Sequence, residues 1–168
     1  ADQNGEKPER GGRSSMSHSA LNRADIWESS RKQLVNQLVF FDEEKMAFLD
    51  QYFSDYDAKR TQAERVLDTY IAELERILAN FSEEKLRSRV LIGSRVDVRD
   101  LEFGTTDSYT IVFPHKAKPE DNVLSFLSPL AFQLLLGEKG ETYTVHVPSG
   151  TMEVRVEDIR YVNGGDPT

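Results

Sequence analysis

The residues best suited to carry out chemistry are six acidic side chains between positions 42 and 57. Carboxylates grouped in a short stretch can hold Mg²⁺, which prefers hard oxygen ligands and keeps several waters for chemistry. Helix capping on a solvated surface explains the same acids without a metal. Apolar side chains lie among them and favour a contact site, because a thin helical rod cannot bury so much apolar surface, unless a kinked first arm covers it. The acids are Asp42, Glu43, Glu44, Asp50, Asp55 and Asp57, and the apolar residues are Phe48, Leu49, Tyr52, Phe53 and Tyr56.

Other catalytic chemistries find little support in this sequence. The three histidines, His18, His115 and His146, do not stand at HxxxH or HxxE spacing. The absence of cysteine excludes disulfides, thiolate nucleophiles and cysteine zinc sites. Neither a GxSxG elbow nor a GxxxxGK[ST] phosphate loop occurs. We therefore expect a protein that is not itself an enzyme and has no cofactor of its own.

Composition narrows the range of partners. The 168 residues include 29 acidic and 21 basic side chains, a net charge of −8, which disfavours direct nucleic-acid binding through phosphate contacts. No apolar run approaches the roughly 20 residues that cross a bilayer. Because cysteine is absent as well, we expect a cytoplasmic monomer that meets nucleic acid only indirectly and does not contact a membrane.

Two helical stripes predict an antiparallel α-hairpin over residues 20–81. Apolar residues recur every three or four positions, the repeat of a coiled-coil seam. The short connection at 53–57 forces the two helices to run antiparallel. A break in the first helix near Asp42 stays open, because this acid can also begin a helix. The stripes are Leu34, Leu38, Phe41, Phe48 and Tyr52, and Ala63, Leu67, Tyr70, Leu74, Ile77 and Phe81.

The remaining segments predict a small α+β domain at 92–162, joined to the hairpin by a linker at 82–91. Strands are expected at 95–103, 108–113, 123–126, 141–147 and 152–162, with one helix beginning at Ser128 and Pro129. Residues 1–19 contain one large apolar residue, Met16, and are expected to be a disordered tail or an added leader. The Gly-rich end at 163–168 is expected to be disordered too.

This order of hairpin, linker and α+β domain resembles the Gre family of bacterial transcription elongation factors. The resemblance covers about 70 residues of the C-terminal domain and, more weakly, the second helix of the hairpin. It implies an FKBP-like fold for residues 92–162 and docking at the secondary channel of bacterial RNA polymerase, with Ser128 and Pro129 in the docking surface. The matching C-terminal segments are 92–94, 108–112, 128–130, 135–137, 140–141, 147–150 and 152–159, and the hairpin matches at 54–59 and 71–75.

The resemblance fails at the tip of the hairpin. Cleavage-stimulating Gre factors carry an Asp, and three residues later a Glu, that hold a Mg²⁺ shared with the polymerase. Those positions fall on Leu49 and Tyr52, and a shift by one residue gives Asp50 followed by Phe53. The sequence thus predicts a polymerase-binding regulator without the full carboxylate pair. Its expected tip contacts are Phe48, Asp50, Tyr52, Phe53, Asp55 and Tyr56.

Three alternatives remain. The chain could stimulate cleavage through Asp50 and Asp55, sharing Mg²⁺ with the polymerase at the tip. It could be a regulator similar to Rnk, with the same C-terminal domain on a shorter hairpin, although the spacing from Tyr56 to Gly93 favours the longer arm. A prolyl isomerase is suggested only by the FKBP-like fold. The strand region has no tryptophan to form the floor of an aromatic proline pocket, because the single tryptophan, Trp27, lies outside it.

Overall fold

The computed structural model describes the backbone of residues 11–168 and the side chains of residues 25–168. Two long helices form the N-terminal half, α1 over Gly11–Tyr52 and α2 over Ala58–Ala79. α1 passes through Asp42 without a break. Residues 11–19, expected to be a disordered tail, are helical, because lengthening an existing helix requires no new nucleation. The rest of that predicted tail, residues 1–10, lies outside the described residues.

The predicted stripe of α2 is the side that packs against α1. Its members from Ala63 to Ile77 are at most 3% exposed, and the two helices contact each other along this side. Asp57 caps α2 by accepting a hydrogen bond from the Arg60 backbone N–H at 3.1 Å. On α1, Leu34, Phe41 and Phe48 are buried as well. The antiparallel hairpin is therefore confirmed.

The C-terminal half is a mixed five-stranded sheet with two short helices. The sheet order is β3-β2-β1-β5-β4, and all neighbours are antiparallel except β2 and β3. Each predicted strand is present within a few residues of its expected bounds, which confirms the α+β class. The elements are α3 (Glu83–Ser88), β1 (Ser94–Asp100), β2 (Thr106–Val112), β3 (Val123–Ser125), α4 (Pro129–Leu134), β4 (Thr142–Val147) and β5 (Gly150–Tyr161).

One apolar core joins the hairpin to the sheet. Phe41 and Phe48 of α1 pack against Phe113 and Phe126 of the C-terminal half, with ring centroids 5.7 to 6.4 Å apart. The expected linker at 82–91 belongs to this core too, because α3 lies in it and Leu86, Val90 and Leu91 are buried. The hairpin therefore lies along the domain and does not project from it as a free rod.

The C-terminal segment 163–168 is also held in place, contrary to the expected disordered tail. The Asn163 carboxamide oxygen accepts a hydrogen bond from Ser30 at 2.6 Å, and the Gly165 N–H donates to Gln33 at 3.1 Å. A Cβ at Gly165 would overlap the Ile92 carbonyl, so glycine alone permits this close approach. Composition suggested disorder because it could not show these partners on α1.

A membrane-spanning helix is not found between residues 11 and 168, since no helix there is apolar enough over the required length.

Candidate contact site at the hairpin turn

The turn between α1 and α2 is organised by an arginine beneath it. Arg60, in the first turn of α2, is only 4% exposed. Its Nη1 donates a hydrogen bond to the Phe53 carbonyl at 2.9 Å, and its Nη2 lies 2.9 Å from Oδ1 of Asp50. The Arg60 guanidinium therefore joins the end of α1 to the start of α2.

Tyr56 completes this arrangement. Its ring lies over the Arg60 guanidinium, 4.2 Å from the guanidinium carbon to the ring centroid, a cation–π contact. Its hydroxyl donates a hydrogen bond to Asp50 at 3.2 Å. The residue is nevertheless 81% exposed. We call Asp50, Tyr56 and Arg60 the turn clamp, which presents an aromatic side chain to solvent in a fixed orientation.

The turn clamp leaves the tip acids poorly suited to the Mg²⁺ that the family resemblance implies. The charge of Asp50 is balanced by Arg60, and an arginine so close repels a divalent cation. Asp57 is occupied as the cap of α2. Within residues 25–168, no group of three His, Asp or Glu side chains is placed to hold a metal ion. The Asp50 carboxylate therefore fits a shared Mg²⁺ poorly, while Asp55 remains exposed.

The six acidic residues between positions 42 and 57 do not come together in one cluster. Asp42 lies eight residues before Asp50 on α1, which separates them by about 12 Å along the helix axis. Glu43 and Glu44 belong to the Asp42 end. The stretch is therefore two separate acidic regions.

The predicted tip contacts fall into two groups. Asp50, Tyr52, Asp55 and Tyr56 are exposed, and Phe53 is half-buried. Phe48 is an exception, since its ring stacks on Phe126 at 5.7 Å and it is 5% exposed. The prediction of Phe48 as an exposed contact is wrong, because the C-terminal domain supplies a cover that a free rod would lack.

Arg60 is a residue of this candidate site that the sequence analysis did not predict. Two signals could have found it. It continues the apolar stripe of α2 one step before Ala63, and a charged residue in such a position requires a partner. It also lies in the first turn of a helix, where a positive charge is unfavourable with the helix dipole unless an acid compensates it.

The candidate docking residues lie where β3 leads into α4. Pro129 is exposed at the start of α4. Ser128 precedes it, and its Oγ is buried with no hydrogen-bond partner among the described residues. These residues follow shortly after Phe126, which stacks on Phe48. The predicted docking residues therefore begin two positions after a side chain that contacts α1.

The two histidines whose side chains are described do not form a metal site together. His115 lies 3.3 Å through Nε2 from the Thr168 carbonyl, and the His146 backbone N–H donates to the Gln133 side chain at 2.9 Å. His18 is outside the residues whose side chains are described.

A buried polar network fixes the middle of the hairpin to the domain. The Tyr70 hydroxyl donates to Gln37 at 2.6 Å and accepts from the Ile92 N–H at 2.8 Å. The Gln37 amide donates to the carbonyls of Ile92 and Gly165 at 2.9 and 2.8 Å. We call Gln37, Tyr70, Ile92 and Gly165 the polar clasp. Burial raises the pKa of Tyr70 well above its ordinary value, and burial likewise raises the pKa of the adjacent Tyr161.

Fold and site together define a class of protein: a helical hairpin packed on a mixed-sheet domain, with exposed aromatic and acidic residues at its turn and no group of three or more metal-ligating side chains within residues 25–168. The family "Transcription elongation factor, GreA/GreB, C-term" matches residues 84–161. The chain belongs to the GreA/GreB family of transcription elongation factors.

Two relatives support this membership, and one solved structure also matches the chain. Transcription elongation factor GreA of Caldanaerobacter subterraneus is 38% identical over 112 residues, covering 64% of this chain and 70% of the relative. GreA of Dehalococcoides mccartyi is 31% identical over 134 residues, covering 76% and 85%. The GreA/GreB structure from Nitrosomonas europaea is 21% identical, covers 71% of this chain and 93% of that chain, and has a TM-score of 0.48.

Proposed function

We propose that this chain binds bacterial RNA polymerase at its secondary channel and regulates transcript elongation without supplying cleavage carboxylates of its own. Family membership supports the transcription elongation role. In this proposal the protein acts as a monomer, the 92–162 domain is the FKBP-like docking module, and the segment of Ser128 and Pro129 belongs to the docking surface, with Pro129 exposed to the polymerase. Nucleic acid is met only within the elongation complex.

The pairing of Asp50 with Arg60 is the observation that best supports the proposed lack of cleavage activity. A carboxylate that recruits Mg²⁺ must offer its charge to the ion, whereas the Asp50 carboxylate has an arginine at 2.9 Å and a tyrosine hydroxyl at 3.2 Å. Asp55 alone would be a single ligand, and Mg²⁺ in proteins is usually held by carboxylates together with substrate oxygens. Cleavage through Asp50 and Asp55 is therefore the weaker alternative.

The short distance by which the hairpin extends beyond its contact with the domain also supports a modulating role. α1 ends at Tyr52, four residues beyond Phe48, and Phe48 is still covered by the domain. The helix therefore extends about 6 Å past this contact before the turn begins. Tyr56 is the most exposed aromatic residue there and is our leading contact of the turn.

The same short reach favours a second candidate, a regulator similar to Rnk, which combines this type of domain with a shorter hairpin. Both candidates bind the same polymerase site. They differ in whether the turn reaches the polymerase active centre, so crosslinking from position 56 separates them. A photoreactive residue in place of Tyr56 should crosslink near the active centre for the first candidate and near the channel entrance for the second.

The proposal is tested with bacterial RNA polymerase elongation complexes, stalled and backtracked. The full chain should bind these complexes and leave the intrinsic rate of Mg²⁺-dependent 3′-end cleavage within about twofold. Pro129→Asp should weaken binding about tenfold, because a charge would enter the docking surface, whereas Pro148→Asp, at an exposed turn of the same domain, should not. Equal binding by both variants would contradict the docking assignment.

A further inference from the structure

The hairpin has two sides, and only one is covered by the domain. On the covered side, Phe40 and Phe48 contact Phe113 and Phe126. On another side, α1 and α2 border an open groove of about 490 Å³. We call this the acidic groove, and the residues that matter for its chemistry are Val39, Asp42, Glu43, Met46, Ile71 and Glu75.

The apolar lining of the acidic groove is unusually open to solvent. Val39 is 47% exposed and Met46 is 53% exposed. The two residues are seven positions apart on α1, or about 10.5 Å along one face of the helix. The outer face of a surface helix normally carries polar residues, so this spacing indicates an unfilled seam about two helical turns long.

The charges around the seam point to the chemistry of its occupant. Asp42, Glu43 and Glu75 border the groove, and none of them pairs with a basic group among the described side chains. Lys45, also in the groove, is held by Asp68 at 2.8 Å and Glu64 at 3.7 Å, and its hydrogen bond to Asp68 raises its pKa. The groove therefore presents apolar surface bordered by uncompensated negative charge.

This charge argues against two occupants. A second copy of the chain would place the same acids against one another, and like charges across an interface are unfavourable. Nucleic acid would be repelled by the same carboxylates. A segment that brings positive charge on the sides of an apolar stripe matches both properties.

We propose that the acidic groove binds a basic amphipathic helix of a partner protein. Apolar side chains at i, i+3 or i+4 and i+7 of that helix would contact Val39, Met46 and Ile71, and flanking Lys or Arg would pair with Asp42, Glu43 and Glu75. The turn clamp and the docking residues are not part of this surface. The proposal therefore stands apart from the proposed function.

A pair of synthetic peptides tests the proposal. The first has 14 residues, with leucines at helical i, i+3, i+4 and i+7 spacing and lysines between them, and the second has the same composition in scrambled order. Fluorescence anisotropy with the full chain at about 150 mM salt should show the patterned peptide binding at least about tenfold more tightly. Equal affinity for the two peptides would overturn the proposal, because general charge attraction would then explain binding.

Matched variants locate the binding. Glu43→Lys should weaken the patterned peptide about tenfold, and Met46→Glu should do the same by placing a charge on the apolar seam. Glu44→Lys makes the same change of charge at the next residue, which is exposed but outside the groove, and should stay within about twofold. Equal losses for Glu43→Lys and Glu44→Lys would overturn the proposal. So would sedimentation showing a dimer that Met46→Glu dissociates, since a second copy would then occupy the groove.

Discussion

The middle of the hairpin and its turn are held in opposite ways. In the middle, Phe41 and the polar clasp are buried and join both helices to the C-terminal domain. At the turn, one buried arginine orders residues that are largely exposed. The difference indicates that folding depends on the middle, and it leaves the exposed turn available for the contact proposed above. Three substitutions test this contrast, in decreasing order of expected effect.

Phe41→Ala should cause the largest loss. The Phe41 ring contacts Tyr70, Phe113 and Phe126, so its removal leaves a cavity where hairpin and domain meet. We expect the free energy of unfolding to fall by about 3–5 kcal/mol in urea titrations. Phe103→Ala removes a ring that is 74% exposed and should change it by less than about 0.5 kcal/mol. Similar losses for both variants would refute the buried junction.

Tyr70→Phe should have an intermediate effect of about 1–3 kcal/mol, because it leaves the Gln37 oxygen and the Ile92 N–H without a partner. The control is Tyr52→Phe, at an exposed position of α1. Tyr52→Phe should be nearly neutral.

The pH dependence of stability provides a second readout for Tyr70. Its pKa is raised in the folded state, so the hydroxyl stays protonated when the unfolded chain begins to ionise near pH 10. The stabilisation is complete below that pH and is lost as pH rises toward the folded-state pKa. Wild type should therefore lose more stability above about pH 10 than Tyr70→Phe does. Parallel curves would show that the hydroxyl is not buried.

Arg60→Met should have the smallest effect on global stability, about 1 kcal/mol, since its partner Asp50 is largely solvated. Its local effect should be larger. Amide hydrogen exchange at residues 53–57 should accelerate about tenfold, while the Tyr70 and Ile92 amides keep their protection. Arg65→Met, at an exposed position of the same helix, is the control. Unchanged exchange at the turn would show that Arg60 does not order it.

The parts that the sequence predicted well are those whose partners are close along the chain. The α2 stripe and the strand alternation reflect local periodicity, and a short turn requires antiparallel helices. The order of the C-terminal segment was missed because its partners, Ser30 and Gln33, lie some 130 residues earlier. The burial of Phe48 was missed for the same reason, since Phe126 is remote in sequence.

The sequence predicted which types of residue lie at the turn, but it did not predict that the charge of Asp50 is compensated. Exposed acids and aromatics at the turn were expected, and Asp50, Tyr52, Asp55 and Tyr56 are exposed. Charge compensation of Asp50 by Arg60 depends on two helices meeting in one register, which composition does not reveal. That compensation is the basis for proposing that the turn makes contacts and does not recruit a metal.

The rate of 3′-end RNA cleavage in backtracked elongation complexes is the most direct test of whether the turn supplies cleavage carboxylates. With saturating protein and Mg²⁺, we expect cleavage at the intrinsic rate within about twofold, even though the protein is bound. An acceleration of about tenfold or more that Asp50→Ala abolishes would contradict it, because Asp50 would then be released from Arg60 to recruit the metal.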